Sequence, residues 1–140
     1  MSHEADDRNA ASSGPLAGLR VLIVEDETLV SMLLEDMVAG FGGRLAASLS
    51  RVDRALDFLR TDWALIDLAI LDVNLGGEEV FPVAEVLVDR DIPFVFSTGY
   101  GSSGLPEAWR GRPILPKPFV EEGVRQVLER VLSLRAGAGS

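Results

Sequence analysis

The chain has 140 residues, of which 47% are hydrophobic and 25% are charged, a composition typical of one globular domain. Its net charge of -9 and its scattered basic residues exclude nucleic acid as an expected partner, because such binding depends on lysine and arginine contacts to phosphate. No apolar run approaches the roughly 20 residues of a membrane-spanning helix, and the sequence lacks both a signal-peptide pattern and cysteine, so we expect a cytoplasmic domain without disulfides or membrane contact.

The two ends of the chain are poor in large apolar residues. Residues 1–17 are rich in Ala, Ser, Asp and Gly, with Leu16 as an exception, and they predict a flexible tail in which His3 has no role. The closing residues 136–140, AGAGS, predict a second flexible tail. We therefore place one domain at residues 18–135.

Between the tails, short apolar runs alternate with longer stretches of helical periodicity. The runs predict strands at 19–24, 44–47, 68–71, 94–96 and 114–115, and stripes of apolar residues predict helices at 29–41, 52–59, 80–87 and 124–131. Such alternation predicts an α/β fold with a parallel sheet buried on both faces. The segment 99–113 holds four glycines and two prolines, so we expect only a short or irregular fourth helix near 106–110.

Polar side chains follow four of the predicted strands, at the edge where an open parallel sheet binds its ligands. They are Glu25, Asp26, Asp72, Thr98 and Lys117. A single acid at such a position more often caps or charges a helix start, and Asp26 is placed to cap a helix beginning near Thr28. The full set is more specific, because three converging carboxylates need a compensating cation and an oxygen-only ligand set favours Mg²⁺. Asp72 would then attack a phosphoryl group, while Lys117 neutralises its charge and Thr98 donates a hydrogen bond to it.

Four segments together resemble the receiver domain of bacterial response regulators: VLIVEDE at 21–27, LAILDVNLGG at 68–77, FSTGYG at 96–101 and PKPF at 116–119. The resemblance implies a CheY-like, flavodoxin-like three-layer α/β/α sandwich whose five-stranded parallel sheet has the order 2-1-3-4-5. It implies Mg²⁺ as the cofactor, and it implies these site residues: Glu25, Asp26, Asp72 and the backbone carbonyl of Asn74 as metal ligands, Asp72 as phosphoacceptor, Thr98 as switch hydroxyl and Lys117 as phosphoryl partner.

The sequence departs from the common receiver pattern at two places. Ile114 stands three residues before Lys117, where many receivers carry an aromatic switch residue. The stretch 96–100 is similar to the FATGUY subgroup of receivers, although Ser97 replaces its alanine and Gly101 its closing tyrosine. We therefore expect this domain to be phosphorylated as other receivers are. We expect the resulting conformational change to reach the surface through different residues.

Three residues are candidates for gating or output. Tyr100 is placed to gate the site, and a loop aromatic without that role is an equal alternative. Trp109 is a candidate anchor for a partner, with packing of a short helix onto the core as its alternative. Ile114 belongs to the fifth strand, which contributes to the surface through which most receivers contact their partners.

We predict a stand-alone receiver of a two-component phosphorelay. A sensor histidine kinase or histidine phosphotransfer protein would phosphorylate it, and it would signal through contact with a downstream protein target. It would be no enzyme beyond its own phosphorylation and slow dephosphorylation. Two alternatives stay open: a receiver-like scaffold that is not phosphorylated, and an aspartate-nucleophile phosphohydrolase, which would carry an acid where this chain has Asn74. A nucleotide or flavin protein is disfavoured, because acids replace a glycine-rich phosphate loop after the first strand.

Overall fold

The computed structural model describes residues 14–139, with residues 102, 103 and 135–139 described by their backbone alone. Its strands and helices are β1 (Arg20–Val24), α1 (Thr28–Gly40), β2 (Arg44–Leu49), α2 (Val52–Asp62), β3 (Leu68–Asp72), β4 (Asn74–Leu75), β5 (Glu78–Glu79), α3 (Phe81–Asp89), β6 (Phe94–Thr98), β7 (Ile114–Pro116) and α4 (Glu121–Gly139). Short 3-10 turns occur at Trp63–Leu65, Gly101–Gly104 and Glu107–Trp109. None of the helices in residues 14–139 combines the length and apolar character needed to cross a membrane.

Five strands form one parallel sheet in the order β2-β1-β3-β6-β7. Numbered as strands of this sheet alone, the order is 2-1-3-4-5, so the flavodoxin-like fold and its strand order are confirmed. The central strands β1 and β3 are buried on both faces, because all their residues except Arg20 at the start of β1 and Asp72 at the end of β3 are apolar. The edge strand β2 is largely half-buried or exposed, and for this reason its sequence pattern is the weakest of the five.

Helices cover both faces of the sheet, and alternate residues of each strand point to opposite layers. The layer of α2 and α3 packs on Leu22, Val24, Ala69, Leu71, Phe94 and Phe96. The layer of α1 and α4 packs on Val21, Ile23, Leu68, Ile70, Val95 and Leu115. This alternation determines which side chains share a face where the strands end.

The described part of the predicted N-terminal tail is packed against the domain. Leu16 is fully buried in the α1 and α4 layer, and its N–H donates to the carbonyl of Phe41 over 2.9 Å. The predicted tail is therefore wrong for residues 14–17, because burial of Leu16 and hydrogen bonds from Leu16 to Phe41 and within the turn hold this segment against the domain. Residues 1–13, including His3, lie outside the described residues.

The last helix continues beyond the predicted end of the domain at residue 135. Helix α4 runs to Gly139, so the backbone of residues 136–139 is helical, while their flexibility stays a prediction and Ser140 lies outside the described residues. Adding a residue to an existing helix needs no new nucleation, and Ala136 and Ala138 are strong helix formers on either side of Gly137.

A short antiparallel hairpin that the sequence pattern did not predict follows β3 directly. Its strands β4 and β5 pair Asn74 with Glu79, and Gly76 and Gly77 form the turn with φ values of 58° and 95°. Positive φ at both positions suits the tight two-residue turn of a hairpin. The side-chain oxygen of Asn74 accepts the N–H of Gly77 over 3.0 Å, and Leu75 is buried in the core. The hairpin is thereby fixed beside the end of β3.

The segment between β6 and β7 is irregular, as predicted. Two 3-10 turns stand where a fourth helix was expected, and Trp109 in the second turn packs on the core. Its ring centroid lies 6.0 Å from that of Phe81, 6.2 Å from that of Phe94 and 5.7 Å from that of Phe96. This packing is the alternative role foreseen for Trp109, and its role as a partner anchor stays a prediction.

Candidate functional site

An ion cluster lies where β1, β3 and β7 end. The ammonium nitrogen of Lys117 lies 3.2 Å from Oε1 of Glu25 and 3.4 Å from Oδ1 of Asp72. The side chains of Glu25 and Asp72 are only 1% and 8% exposed. Each acid comes two residues after a core isoleucine, Ile23 or Ile70, and therefore shares its face of the sheet. The structure thus brings these three predicted site residues together.

Asp26 adds a third carboxylate to this cluster. One carboxylate oxygen from each of Glu25, Asp26 and Asp72 lies within 4.8 Å of the other two. Within the described part of the chain, helix α1 has Glu27 as its N-cap residue, without a side-chain capping hydrogen bond, so a capping role for Asp26 is not supported. Three carboxylates beside one lysine leave an excess of negative charge, and this oxygen-only set fits a hard divalent cation.

Burial dominates the electrostatics of the cluster. Burial raises the pKa of Glu25 to about 7, and the charge of Asp72 adds to this rise against a hydrogen bond from the N–H of Glu27. Burial also raises the pKa of Asp72, although Lys117 opposes it. Burial acts to lower the pKa of Lys117, but the two carboxylates outweigh it and that pKa is raised. Lys117 therefore stays charged, whereas Glu25 titrates near neutral pH.

Thr98 is buried at the end of β6, beside the cleft that opens onto Asp72. Its Oγ accepts a hydrogen bond from the backbone N–H of Tyr100 over 3.1 Å. A hydroxyl that accepts one hydrogen bond can still donate a hydrogen bond to another group. The side chain of Tyr100 is 83% exposed and lines the same cleft, which is consistent with both alternatives for this residue, so its gating role stays a prediction.

The cleft beside the ion cluster involves more residues than the sequence motifs indicate. Its further lining residues include Glu27, Glu79 and Gly104. The hairpin brings Glu79 there, and the Gly76-Gly77 dipeptide is the local signal that predicts such a turn. A Cβ atom on Gly104 would lie only 2.9 Å from the Cβ of Tyr100, so glycine permits this close approach. The contact is local to the irregular segment that follows β6, and no sequence motif marks it.

Of the two remaining predicted residues, Asn74 lines the cleft and Ile114 packs on the core. The backbone N–H of Asn74 is hydrogen-bonded to Asp72, while the role of its carbonyl as a metal ligand stays a prediction. Ile114 is half-buried and packs against the α2 and α3 layer, where its registered neighbour is Phe96. Ile114 therefore belongs to the packing around β7, and its role in output stays a prediction.

A doubly wound five-stranded sheet with an acidic pair, a buried aspartate, a hydroxyl and a lysine at its strand ends defines a response regulator receiver domain. Comparison with known proteins agrees. The chain is 45% identical to SdrG from Sphingomonas melonis Fr1, over 81% of this chain and 96% of SdrG, with a TM-score of 0.72. It is 31% identical to the receiver domain of the response regulator PhyR from Erythrobacter litoralis, over 82% of this chain and 90% of that domain, with a TM-score of 0.72. The chain belongs to the response regulator receiver domain family.

Two further comparisons extend this finding. A structure of SdrG from Pseudomonas melonis Fr1 in its BeF3-activated conformation is 45% identical, covers 81% of this chain and 95% of that one, and has a TM-score of 0.70. The sensory transduction protein LytT of Bacillus subtilis (strain 168) is 32% identical over 117 residues, which make up 80% of this chain and 47% of LytT. The chain thus spans about half the length of this curated relative. No protein-family model matches the chain.

Proposed function

We propose that this receiver domain accepts a phosphoryl group on Asp72, with Mg²⁺ bound beside it. The ion cluster carries the proposal: a buried aspartate lies 3.4 Å from the charged nitrogen of Lys117 and forms a group with two further carboxylates. Attack of a carboxylate on phosphorus depends mainly on positioning and on neutralisation of charge. Asp72 is buried and held in position, and Lys117 and a cation bound by the carboxylates would neutralise the charge of the phosphoryl group.

The residues present fit a hard divalent cation. Glu25, Asp26 and Asp72 offer oxygen ligands alone, and with the backbone carbonyl of Asn74 they are the ligands that we assign to Mg²⁺. Asp26 is exposed, which suits an ion that retains several water ligands. When bound, Mg²⁺ neutralises charge on the phosphoryl oxygens.

Asp72 is the nucleophile of the transfer. One of its carboxylate oxygens attacks the phosphorus of a phosphohistidine on a sensor histidine kinase or histidine phosphotransfer protein. The new O–P bond forms as the P–N bond breaks, and the histidine takes up a proton and leaves as neutral imidazole. Lys117 balances the charge of the phosphoryl oxygens from inside the protein.

Dephosphorylation breaks the covalent bond between Asp72 and phosphorus. Water attacks the same phosphorus, the O–P bond breaks, and the carboxylate of Asp72 leaves as inorganic phosphate and a proton are released. The domain therefore catalyses only its own phosphorylation and slow dephosphorylation, and its output is a change of conformation.

Thr98 carries the change away from the site. Its hydroxyl donates a hydrogen bond to the attached phosphoryl group, while its oxygen keeps the hydrogen bond from the N–H of Tyr100. A displacement of Thr98 therefore moves Tyr100 and the irregular segment that follows, and the altered surface contacts a downstream protein target. The BeF3-activated conformation of SdrG supports this proposal, because beryllofluoride resembles a phosphoryl group in shape and charge.

Intact-mass measurement after incubation with Mg²⁺ and acetyl phosphate tests Asp72 as acceptor. The wild type should gain the mass of one phosphoryl group, and Asp72→Asn should gain none. Asp36→Asn changes an exposed aspartate on α1 and is the matched control, which should gain mass as the wild type does. An equal gain in Asp72→Asn refutes the assignment, and no gain in any of the three proteins favours the scaffold alternative.

Turnover separates the switch from the phosphohydrolase alternative. The domain should release phosphate from a phosphate ester no faster than its acyl phosphate decays, because Asn74 offers no acid beside the nucleophile. Many turnovers per molecule at ordinary enzyme rates would overturn the switch in favour of the enzyme.

A further inference from the structure

The hydroxyl of Ser97 is a buried polar group that the proposed mechanism does not use. Ser97 is fully buried in β6, and among the described residues its Oγ has no hydrogen-bond partner. Buried hydroxyls are normally paired, because an unpaired one loses its hydrogen bonds to water without replacing them. The position of Ser97 therefore calls for a physical reason.

Sheet register places Ser97 beside the proposed acceptor. Asp72 and Ser97 are direct partners across β3 and β6, and the carbonyl of Ser97 accepts the N–H of Val73 over 3.1 Å. Registered neighbours in a parallel sheet turn their side chains to the same face. Two residues earlier, Ile70 and Val95 pack in the α1 and α4 layer, so Asp72 and Ser97 continue these two rows at the strand ends.

Lys117 reaches the acids across this same position. Its backbone N–H donates to the carbonyl of Thr98 over 3.1 Å, so its backbone lies beside the end of β6. Its Nζ contacts Asp72 and Glu25, which follow strands on the far side of β6. The lysine side chain therefore spans the end of β6, at which Ser97 and Thr98 lie.

We propose that Ser97 is a positioning residue whose hydroxyl gains its hydrogen-bond partner only when Asp72 is phosphorylated. In the unphosphorylated domain, Lys117 donates to Oδ1 of Asp72. When Lys117 turns to the new phosphoryl group, the acyl oxygen of Asp72 that carries no phosphorus loses that donor. The Ser97 hydroxyl, one strand away on the same face, then donates a hydrogen bond to this oxygen. This inference rests on the proposed function, since it concerns the state that follows phosphorylation.

Ser97 would then bias the domain toward its phosphorylated state. An unpaired hydroxyl destabilises the free domain, and the same hydroxyl stabilises the phosphorylated domain once it is paired. A role in shape alone, in which a small side chain lets Lys117 pass, requires neither effect. Alanine would serve that role equally well, so the two explanations differ in what Ser97→Ala does.

Beryllofluoride with Mg²⁺ is the probe, and thermal unfolding of the full chain with and without it is the measurement. Without beryllofluoride, Ser97→Ala should unfold at a higher temperature than the wild type. Its affinity for beryllofluoride should fall about fivefold, the effect of one lost neutral hydrogen bond. Ser97→Cys, which keeps a similar shape but only a weak donor, should lose affinity as well. Ser133→Ala, at an exposed serine of α4, is the control and should match the wild type in both respects.

Wild-type affinity for beryllofluoride in Ser97→Ala would overturn the inference, whatever the unfolding temperature of the free variant. Loss of affinity in Ser97→Ala with wild-type affinity in Ser97→Cys would also overturn it, because side-chain volume would then be the cause. Failure of the proposed function looks different: the wild type itself would neither gain phosphoryl mass nor bind beryllofluoride, and this inference would fall with it.

Discussion

Glu25 lies closer to Lys117 than Asp72 does, with 3.2 Å between Oε1 and Nζ against 3.4 Å between Oδ1 of Asp72 and Nζ. Lys117 is also the only lysine in the sequence. Glu25 is therefore more than a candidate metal ligand, because it helps to hold Lys117, whose ammonium group faces Asp72. The two proposed sources of positive charge at the site, Mg²⁺ and Lys117, share this carboxylate.

Lys117→Met should destabilise the domain more at pH 8 than at pH 5.5. Methionine keeps an apolar stem but leaves Glu25 and Asp72 buried without their cation. We expect the unfolding free energy to fall by roughly 2 kcal/mol at the higher pH. The loss should be smaller at the lower pH, where Glu25, with a pKa of about 7, already holds a proton. Urea unfolding in EDTA at the two pH values measures both losses.

Arg60→Met is the control for this experiment. It breaks the pair between Arg60 and Asp57, whose side chains are 73% and 69% exposed. Exposed pairs contribute little, so we expect a change below about 0.5 kcal/mol at both pH values. Equal losses for Lys117→Met at the two pH values would contradict the proposed link between Lys117 and the titration of Glu25.

The stability of the wild type without divalent cations should fall as the pH rises from about 4.5 to about 7. Burial raises the pKa of Glu25 from 4.5 to about 7, so the folded domain keeps a proton that the unfolded chain has already lost. This stabilisation is complete below pH 4.5 and is lost as the pH rises through 7. Burial shifts the pKa of Asp72 in the same direction and adds to the slope.

Glu25→Gln should remove most of this pH dependence, because glutamine does not titrate. Across the window, the difference in unfolding free energy between wild type and variant should change by about 1 to 3 kcal/mol. Chemical unfolding at several pH values measures it. Glu85→Gln, at an exposed glutamate of α3, should keep the wild-type slope. A slope in Glu25→Gln as steep as that of the wild type would show that another group is responsible.

Leu16→Ala should destabilise the domain, although the sequence pattern places Leu16 in a tail. The side chain is fully buried, so its truncation leaves a cavity in the α1 and α4 layer. We expect a loss of about 2 to 4 kcal/mol in the unfolding free energy. Leu29→Ala removes the same atoms from a side chain that is 80% exposed, and it should cost less than about 0.5 kcal/mol. Similar urea midpoints for the two variants would contradict the packing seen for Leu16.

The sheet and the outline of the site could be predicted because both depend on local patterns. A parallel strand buried on both faces is apolar at every position, as in Leu68–Asp72 up to its final acid, and the residue after such a strand lies at the edge where ligands bind. Asp72 directly follows a run of this kind, and Thr98 and Lys117 each come two residues after the end of theirs. Strand order then decides that they meet, and the family resemblance supplied that order.

The remaining features depend on contacts between distant segments. Whether Leu16 is buried depends on the end of α1, some 25 residues away, and no periodicity in its own turn reveals this. The pairing of Lys117 with Glu25 depends on the path of a long side chain across β6. Serine is common in exposed turns, so the residue type alone does not predict that Ser97 is buried. Among the described residues, its hydroxyl has no hydrogen-bond partner because of the side chains that neighbouring strands place around it.

Trp109→Ala should destabilise the domain if packing is the main role of this residue. The indole is half-buried and stacks on Phe81 with 17° between the ring planes. We expect a loss of about 2 kcal/mol, less than for a fully buried tryptophan, and a loss below about 1 kcal/mol for Trp109→Phe. Tyr100→Ala, at a side chain that is 83% exposed, should cost less than about 0.5 kcal/mol. Urea unfolding of the three variants measures these values.

Loss of Trp109 should also loosen the end of β6. Phe96 contacts the indole edge-on with 5.7 Å between ring centroids, and Thr98 follows it by two residues. Amide exchange at the N–H of Tyr100, which donates to Thr98, should therefore be faster in Trp109→Ala than in the wild type. Trp109→Phe, which keeps an aromatic ring on Phe96, should exchange at nearly the wild-type rate. Wild-type stability and wild-type amide exchange in Trp109→Ala, together with loss of partner binding, would contradict the packing role and show that Trp109 anchors a partner. The change at Thr98 would then be transmitted to the surface through residues other than Trp109.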